Sequence, residues 1–178
     1  LGLRPADAEE TVVAGKMALE EPRPVALILS RQNIRNLPTL GRSRREEAMQ
    51  AAKGAYVVVD SAKPAVVMLA SGSEVSTLVE GAELLSKEGI NVRIVSVPSE
   101  GLFRDQPKSY QESVLPQGIV RYGMTSGLPV TLQGLVGENG TIHGLDHFGY
   151  SAPYKVLDEK FGYNGQTVCD EVKKLLGK

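Results

Sequence analysis

Two rhythms of apolar residues run through this chain, and the switches between them predict its elements. Asp7, followed by Glu10, forms a capping-box-like start. A helix is expected from there to about Leu19, closed by Pro22 and Pro24. Val25-Ala-Leu-Ile-Leu29 is wholly apolar, the pattern of a parallel strand covered on both faces, and a preceding strand should end near Leu3. Residues 33–46 carry Asn36, Pro38, Gly41 and Ser43 with weak periodicity, which marks a connector and a domain boundary.

The remainder reads as alternating strand and helix. Ala55–Val59 and Ala65–Leu69 are strands joined by a turn over Asp60–Pro64. Ser71 and Glu74, three apart, predict a second capping box. After it Val75, Leu78, Val79, Ala82 and Leu85 paint one helical face, and Gly89 stops the helix. Val92–Val97 is the next strand, which makes a parallel crossover. Shorter elements follow: a strand at Ile119–Tyr122, a helix at Pro129–Val136 and a strand at Thr141–Leu145. A last helix is expected to be capped by Thr167, with Val168, Val172, Leu175 and Leu176 as its buried stripe. The sum is an α/β fold: a three-layer α/β/α arrangement about a five-stranded, mostly parallel sheet, preceded by a fragment of a second α/β domain.

Composition narrows the function. A net charge of −1 argues against nucleic acid or an anionic membrane as the main partner. Arg42, Arg44 and Arg45 cluster, but Glu46 and Glu47 follow at once, so a solvated linker or helix start is expected there. No apolar run reaches the length of a membrane span. The single cysteine, Cys169, falls in an apolar helical pattern and reads as core filler, compatible with a reducing, cytoplasmic setting. Leu1-Gly2-Leu3-Arg4-Pro5 starts as if entered mid-element, so a piece of something longer is expected.

Candidate chemistry is sparse. Arg31 sits where the Val25–Leu29 run breaks into Ser30-Arg31-Gln32-Asn33. Ligands of open α/β sheets collect at the carboxyl ends of strands. A five-donor fork placed there suits a phosphate or carboxylate, and the plainer alternative is a pair with a surface acid. Ser71, Gly72 and Ser73 form a strand-to-helix turn, a second candidate anion site, although plain capping is the stronger reading because P-loop length and Lys are missing. His143 and His147 are four apart, but the surrounding glycines argue against a helix, so no metal site is expected. Glu138 and Asp146 are isolated carboxylates in Gly-rich turns. No nucleophile elbow and no Cys–His pair appears, so no catalytic residue is assigned in this chain.

A series of segments nevertheless points to one family. They are Leu3-Arg4-Pro5-Ala6-Asp7, Leu29-Ser30-Arg31-Gln32-Asn33, Lys53-Gly54-Ala55-Tyr56-Val57, Ala70-Ser71-Gly72-Ser73-Glu74-Val75, Val97-Pro98-Ser99, Val114-Leu115-Pro116 and His147-Phe148-Gly149-Tyr150-Ser151-Ala152-Pro153. In order and spacing they resemble the carboxyl-terminal portion of the transketolases. The resemblance implies that residues 1–46 are the tail of a pyrimidine-binding domain plus linker, and residues 47–178 a transketolase C-terminal domain. It implies a homodimeric enzyme of the pentose phosphate pathway that moves a two-carbon ketol unit from a ketose phosphate to an aldose phosphate. Thiamine diphosphate and a divalent cation, Mg or Ca, would serve the full-length enzyme, with none held by this chain alone. The family's catalytic Glu and His would lie outside this chain, leaving it inactive in isolation. Arg31, in the Ser-Arg-Gln turn, would grip the sugar's terminal phosphate.

The chain also departs from the family pattern. Pro98-Ser99-Glu100-Gly101 stands for Pro-Ser-Trp-Glu, and Met124-Thr125-Ser126-Gly127 for Val-Glu-Ala-Gly. The rival expectation is a non-catalytic dimerisation or regulatory α/β module, which the complete core of the second region would allow. Residues 1–46 are expected to be loose without sheet partners for their strand.

Overall fold

Two sheets of unequal size organise the chain, whose computed structural model describes residues 1–178. The smaller pairs β1 (Gly2–Leu3) with β2 (Ala26–Leu27) in parallel, connected through α1 (Ala8–Glu20). The helix starts where the pattern places it. The Asp7 carboxylate accepts from the Glu10 N–H at 2.9 Å, and the Glu10 carboxylate reaches back to the Ala6 N–H at 2.8 Å.

The expected buried strand Val25–Leu29 is corrected to two residues, and it is open. Leu27, Ile28 and Leu29 are 40, 53 and 56% exposed. A fully apolar strand needs cover on both faces. These 178 residues supply it with one neighbouring strand, β1. The expectation that the whole first segment is loose is also corrected. Leu3, Ala6, Asp7, Glu10 and Leu37 are all buried, and Ala6 and Leu37 join the main core.

The connector holds more structure than its composition suggested. Ser43 and Glu46 close a capping box at the head of α2 (Arg44–Ala48), and a 3-10 turn follows over Met49–Lys53. Gly54 ends it with φ +86°, and a Cβ there would lie 2.2 Å from the Phe103 nitrogen. Only glycine allows the backbones to approach so closely.

The larger sheet contains β3 (Tyr56–Val59), β4 (Val66–Ala70), β5 (Val92–Ser96), β6 (Val120–Met124) and β7 (Thr141–His143). Their order is β3-β5-β4-β6-β7, parallel except for β3 against β5. Along β4 the residues alternate between two cores. Val66, Met68 and Ala70 pack with α3 (Glu74–Lys87) and α8 (Gly165–Leu175); Val67 and Leu69 pack with α4 (Glu100–Arg104), α5 (Lys108–Val114) and α6 (Val130–Val136). That is the expected three-layer α/β/α arrangement. A further helix, α7 (Tyr154–Phe161), precedes α8. Asn164, three residues ahead of the expected Thr167, caps α8: its side chain accepts from the Thr167 N–H at 2.9 Å.

Candidate functional site

The strand order reverses beside β4, with β5 on one side and β6 on the other. A crevice forms outside the carboxyl ends of parallel strands at such a point. Here the carboxyl ends of β1, β4, β5 and β6 meet at Arg4. Its N–H donates to the Pro98 carbonyl at 2.8 Å, and its carbonyl accepts from the Gly72 N–H at 3.1 Å. Its guanidinium donates to the Ser71 hydroxyl at 3.3 Å and the Ser126 hydroxyl at 2.6 Å. It also pairs with the buried Glu74 carboxylate at 2.7 Å, off the N–H direction, as an ionic contact. Burial pushes the Glu74 carboxyl up, with Arg4 acting against it.

This arrangement explains the missing capping box at α3. Ser73 takes the cap position with a helical backbone and no side-chain cap bond. Ser71 is engaged by Arg4, while the Ser73 hydroxyl donates to Glu74 at 2.9 Å. In this turn the Gly72 N–H is thus spent on the Arg4 carbonyl and the two hydroxyls on Arg4 and Glu74. Gly72, at φ +64°, carries the Arg4 side chain against it: an added Cβ would sit 3.0 Å from Arg4 Nε.

A cleft of about 360 Å³ opens above Arg4 and Glu74. Leu29, Ser30 and Gln32 line it together with Tyr150, Tyr154 and Phe161. Tyr150 and Phe161 stack with centroids 5.5 Å apart. Tyr163 donates to the Thr125 carbonyl at 2.8 Å, and burial together with Glu74 pushes its hydroxyl up to about 12.

Arg31 lies between two cleft residues but does not line the cleft. It is exposed, and its guanidinium makes no hydrogen bond or ion pair, so the plainer expectation of a surface acid partner is not met. His143 and His147 do not converge. His143 faces Glu171 Oε1 at 3.1 Å and the Phe161 carbonyl at 2.8 Å, whereas His147 is exposed beside the Phe148 carbonyl. Glu138 and Asp146 are exposed, and Cys169 is buried in the main core.

The basic run is the helix start expected there, with Arg42 and Arg45 exposed, but Arg44 turns into a buried cluster. Arg44 is sunk between Asp7 and Glu10: its Nε lies 2.5 Å from Asp7 Oδ2, and its Nη2 3.3 Å from Glu10 Oε1. Tyr56 donates to Glu10 and accepts from Arg44. Burial pushes the Glu10 carboxyl up, against the lowering pull of the Tyr56 hydroxyl. Charge runs in sequence cannot show that two carboxylates lie buried 34 and 37 positions away.

Comparison with known proteins decides the family. The model of the "Transketolase-like TK C-terminal domain" family matches residues 54–164. A transketolase from Geobacillus stearothermophilus is 39% identical over 99% of this chain, and transketolase 2 from Vibrio parahaemolyticus is 42% identical over 97%. The chain belongs to the transketolase family. It covers 26% of the length of those two transketolases. A transketolase from Pichia stipitis, solved in complex with sedoheptulose 7-phosphate, superposes with a TM-score of 0.89 at 31% identity over 99% of this chain and 25% of its own. The Leishmania mexicana transketolase gives 0.87 at 36% identity, with the same coverage. Both matches include the first segment as well as the larger sheet, so the two-sheet arrangement is a transketolase feature. In that frame Arg4 is the residue that sequence reasoning missed. A charged fork directly after a strand selected Arg31, and the same signal marks Arg4 after β1.

Proposed function

We propose that these residues are the carboxyl-terminal part of a thiamine-diphosphate-dependent transketolase, a cytoplasmic homodimer of the pentose phosphate pathway. In this reading the enzyme moves a two-carbon ketol unit from a ketose phosphate to an aldose phosphate. Residues 1–46 are the tail of the pyrimidine-binding domain with its linker, and residues 47–178 the C-terminal domain. Arg31 grips the sugar's distal phosphate.

The observation that carries the role of Arg31 is its freedom. Most other guanidiniums of the chain are tied to carboxylates or carbonyls, Arg4, Arg44, Arg93 and Arg121 among them. Arg31 is exposed just beyond the carboxyl end of β2, with all its donors unspent. A bidentate contact to phosphate contributes about 1.5–3 kcal/mol. Made far from the reacting carbon, it orients the reacting end.

The residues present offer no cluster of donors for the cofactor's cation. No group of three His, Cys, Asp or Glu side chains could hold a metal ion, so the chain offers no donor set for a cation-bound diphosphate. We assign thiamine diphosphate, its cation and the catalytic acid–base groups to other parts of the enzyme, and derive no step through them. This chain's own residues bind and orient the sugar.

The test uses the full-length enzyme. Arg31→Ala should raise KM for phosphorylated ketoses by about ten- to a hundredfold, far more than for unphosphorylated donors. Arg31→Lys, which keeps the charge and loses the fork, should fall between. Equal effects on both donor classes would remove Arg31 from the phosphate site.

A further inference from the structure

We propose that Asp7 is a positioning residue: its buried carboxylate fixes the loop that carries Arg31, so that the C-terminal domain sets the geometry of the phosphate grip. The inference rests on the reading of Arg31 as that grip.

The Arg31 loop is held at two ends, and both holds come from one five-residue stretch. At its start the Ile28 N–H donates to the Leu3 carbonyl at 2.9 Å. At its finish the Leu37 N–H donates to Asp7 Oδ2 at 3.0 Å, and the Leu37 side chain is buried in the main core. Between these anchors the side chains are tied weakly. Ser30 reaches the Gln32 carbonyl at 3.5 Å, and Arg35 stands 3.9 Å from Glu80 at the surface. The place of Arg31 therefore follows from where Leu3–Asp7 sits.

That stretch is bolted to the larger sheet. Arg4 ties it to Pro98, Ser71, Glu74 and Ser126 beyond the ends of β5, β4 and β6. Asp7 ties it to Arg44 of α2, which in turn bonds Tyr56 of β3. Asp7 is wholly buried and does three things at once. Oδ1 caps α1 through the Glu10 N–H, while Oδ2 accepts from both the Leu37 N–H and Arg44 Nε. Asparagine in its place keeps an oxygen for the cap. It turns an amide NH₂ towards two donors, so the bonds from Leu37 and from Arg44 Nε are both lost. A displacement of about 1 Å in a positioning group can cost on the order of a hundredfold.

The experiment is a double-mutant cycle in the full-length enzyme, read as the ratio of KM for a phosphorylated ketose to KM for an unphosphorylated donor. Asp7→Asn should raise that ratio about tenfold. In an Arg31→Ala background the same change should leave the ratio where Arg31→Ala alone puts it. Leu135→Ala, in the core on the other face of the larger sheet, is the control for general weakening: it should lower the melting temperature without moving the ratio. If Asp7→Asn does not fold, Asp7→Glu serves. It keeps the charge and shifts the acceptor by one methylene, and should raise the ratio in the same way. Should Arg31→Ala itself fail to raise the ratio, the reading of Arg31 falls. Should Arg31→Ala raise it while the Asp7 variant leaves it unmoved, or adds to it independently, the positioning role of Asp7 is overturned.

Discussion

Both ring nitrogens of His143 face acceptors, a carboxylate and a backbone carbonyl. A neutral imidazole has one N–H and can serve only one of them; the imidazolium serves both. The Glu171 bond accordingly holds the His143 pKa above its ordinary value, against burial. Glu171 is pushed up by burial, but His143 and the Tyr122 hydroxyl outweigh that and leave its carboxyl below its usual range. The Tyr163 ring meets His143 edge-on at 5.0 Å and completes the surroundings. A raised histidine contributes stability that is full below the unfolded value of about 6.5 and is lost as pH rises through the folded value. The depressed carboxylate contributes stability that is lost as pH falls through its own folded value. The stability gap between wild type and His143→Gln should therefore shrink as pH rises from about 6.5 through the raised folded value, read from denaturation midpoints. A gap that stays flat over that range would contradict the assignment. At this scale the sequence was partly legible. The Asp7–Glu10 spacing marked the cap of α1, but the burial of Arg44 was not readable because its partners Asp7 and Glu10 are close only in space.

Among the elements, the crossing of α3 and α8 sets a tight steric limit. Gly81 of α3 lies under Val168 of α8: an added Cβ would stand 2.4 Å from Val168 Cγ1. Val168 is wholly buried and β-branched, so it has little freedom to rotate away. Gly15, midway along α1, has nothing within 4 Å of the same position. Alanine gains about 1 kcal/mol over glycine in a helix interior, while overpacking costs about 1–3 kcal/mol. Gly15→Ala should thus raise the melting temperature of the full-length protein, and Gly81→Ala should lower it. Shifts of the same sign would contradict this packing. The long periodic elements β4, α3 and β5 were readable because each buries a face over several turns or pleats. The helices α4, α5 and α7 were not, since five to eight residues carry too little periodicity to stand out. The burial of β2 was misjudged because an apolar pattern does not say what covers it, and here β1 alone pairs with it.

At the scale of the whole molecule, the larger sheet is covered on both faces and the smaller one is not. The first holds two cores, one on each face. The second leaves Leu27, Ile28 and Leu29 exposed, next to the loop that carries Arg31. The chain covers about a quarter of the transketolases it resembles, so the proposed enzyme joins this carboxyl-terminal part to domains that bring the cofactor. In that account the larger sheet is a rigid base, Leu3–Asp7 is the joint, and Arg31 projects from it towards the sugar. The decisive measurement is the structure of the full-length enzyme with a bound ketose phosphate. The account predicts the Arg31 guanidinium at about 2.7–3.1 Å from two phosphoryl oxygens, with Leu37 still bonded to Asp7. A phosphoryl group held by other residues, with Arg31 turned away in solvent, would contradict it.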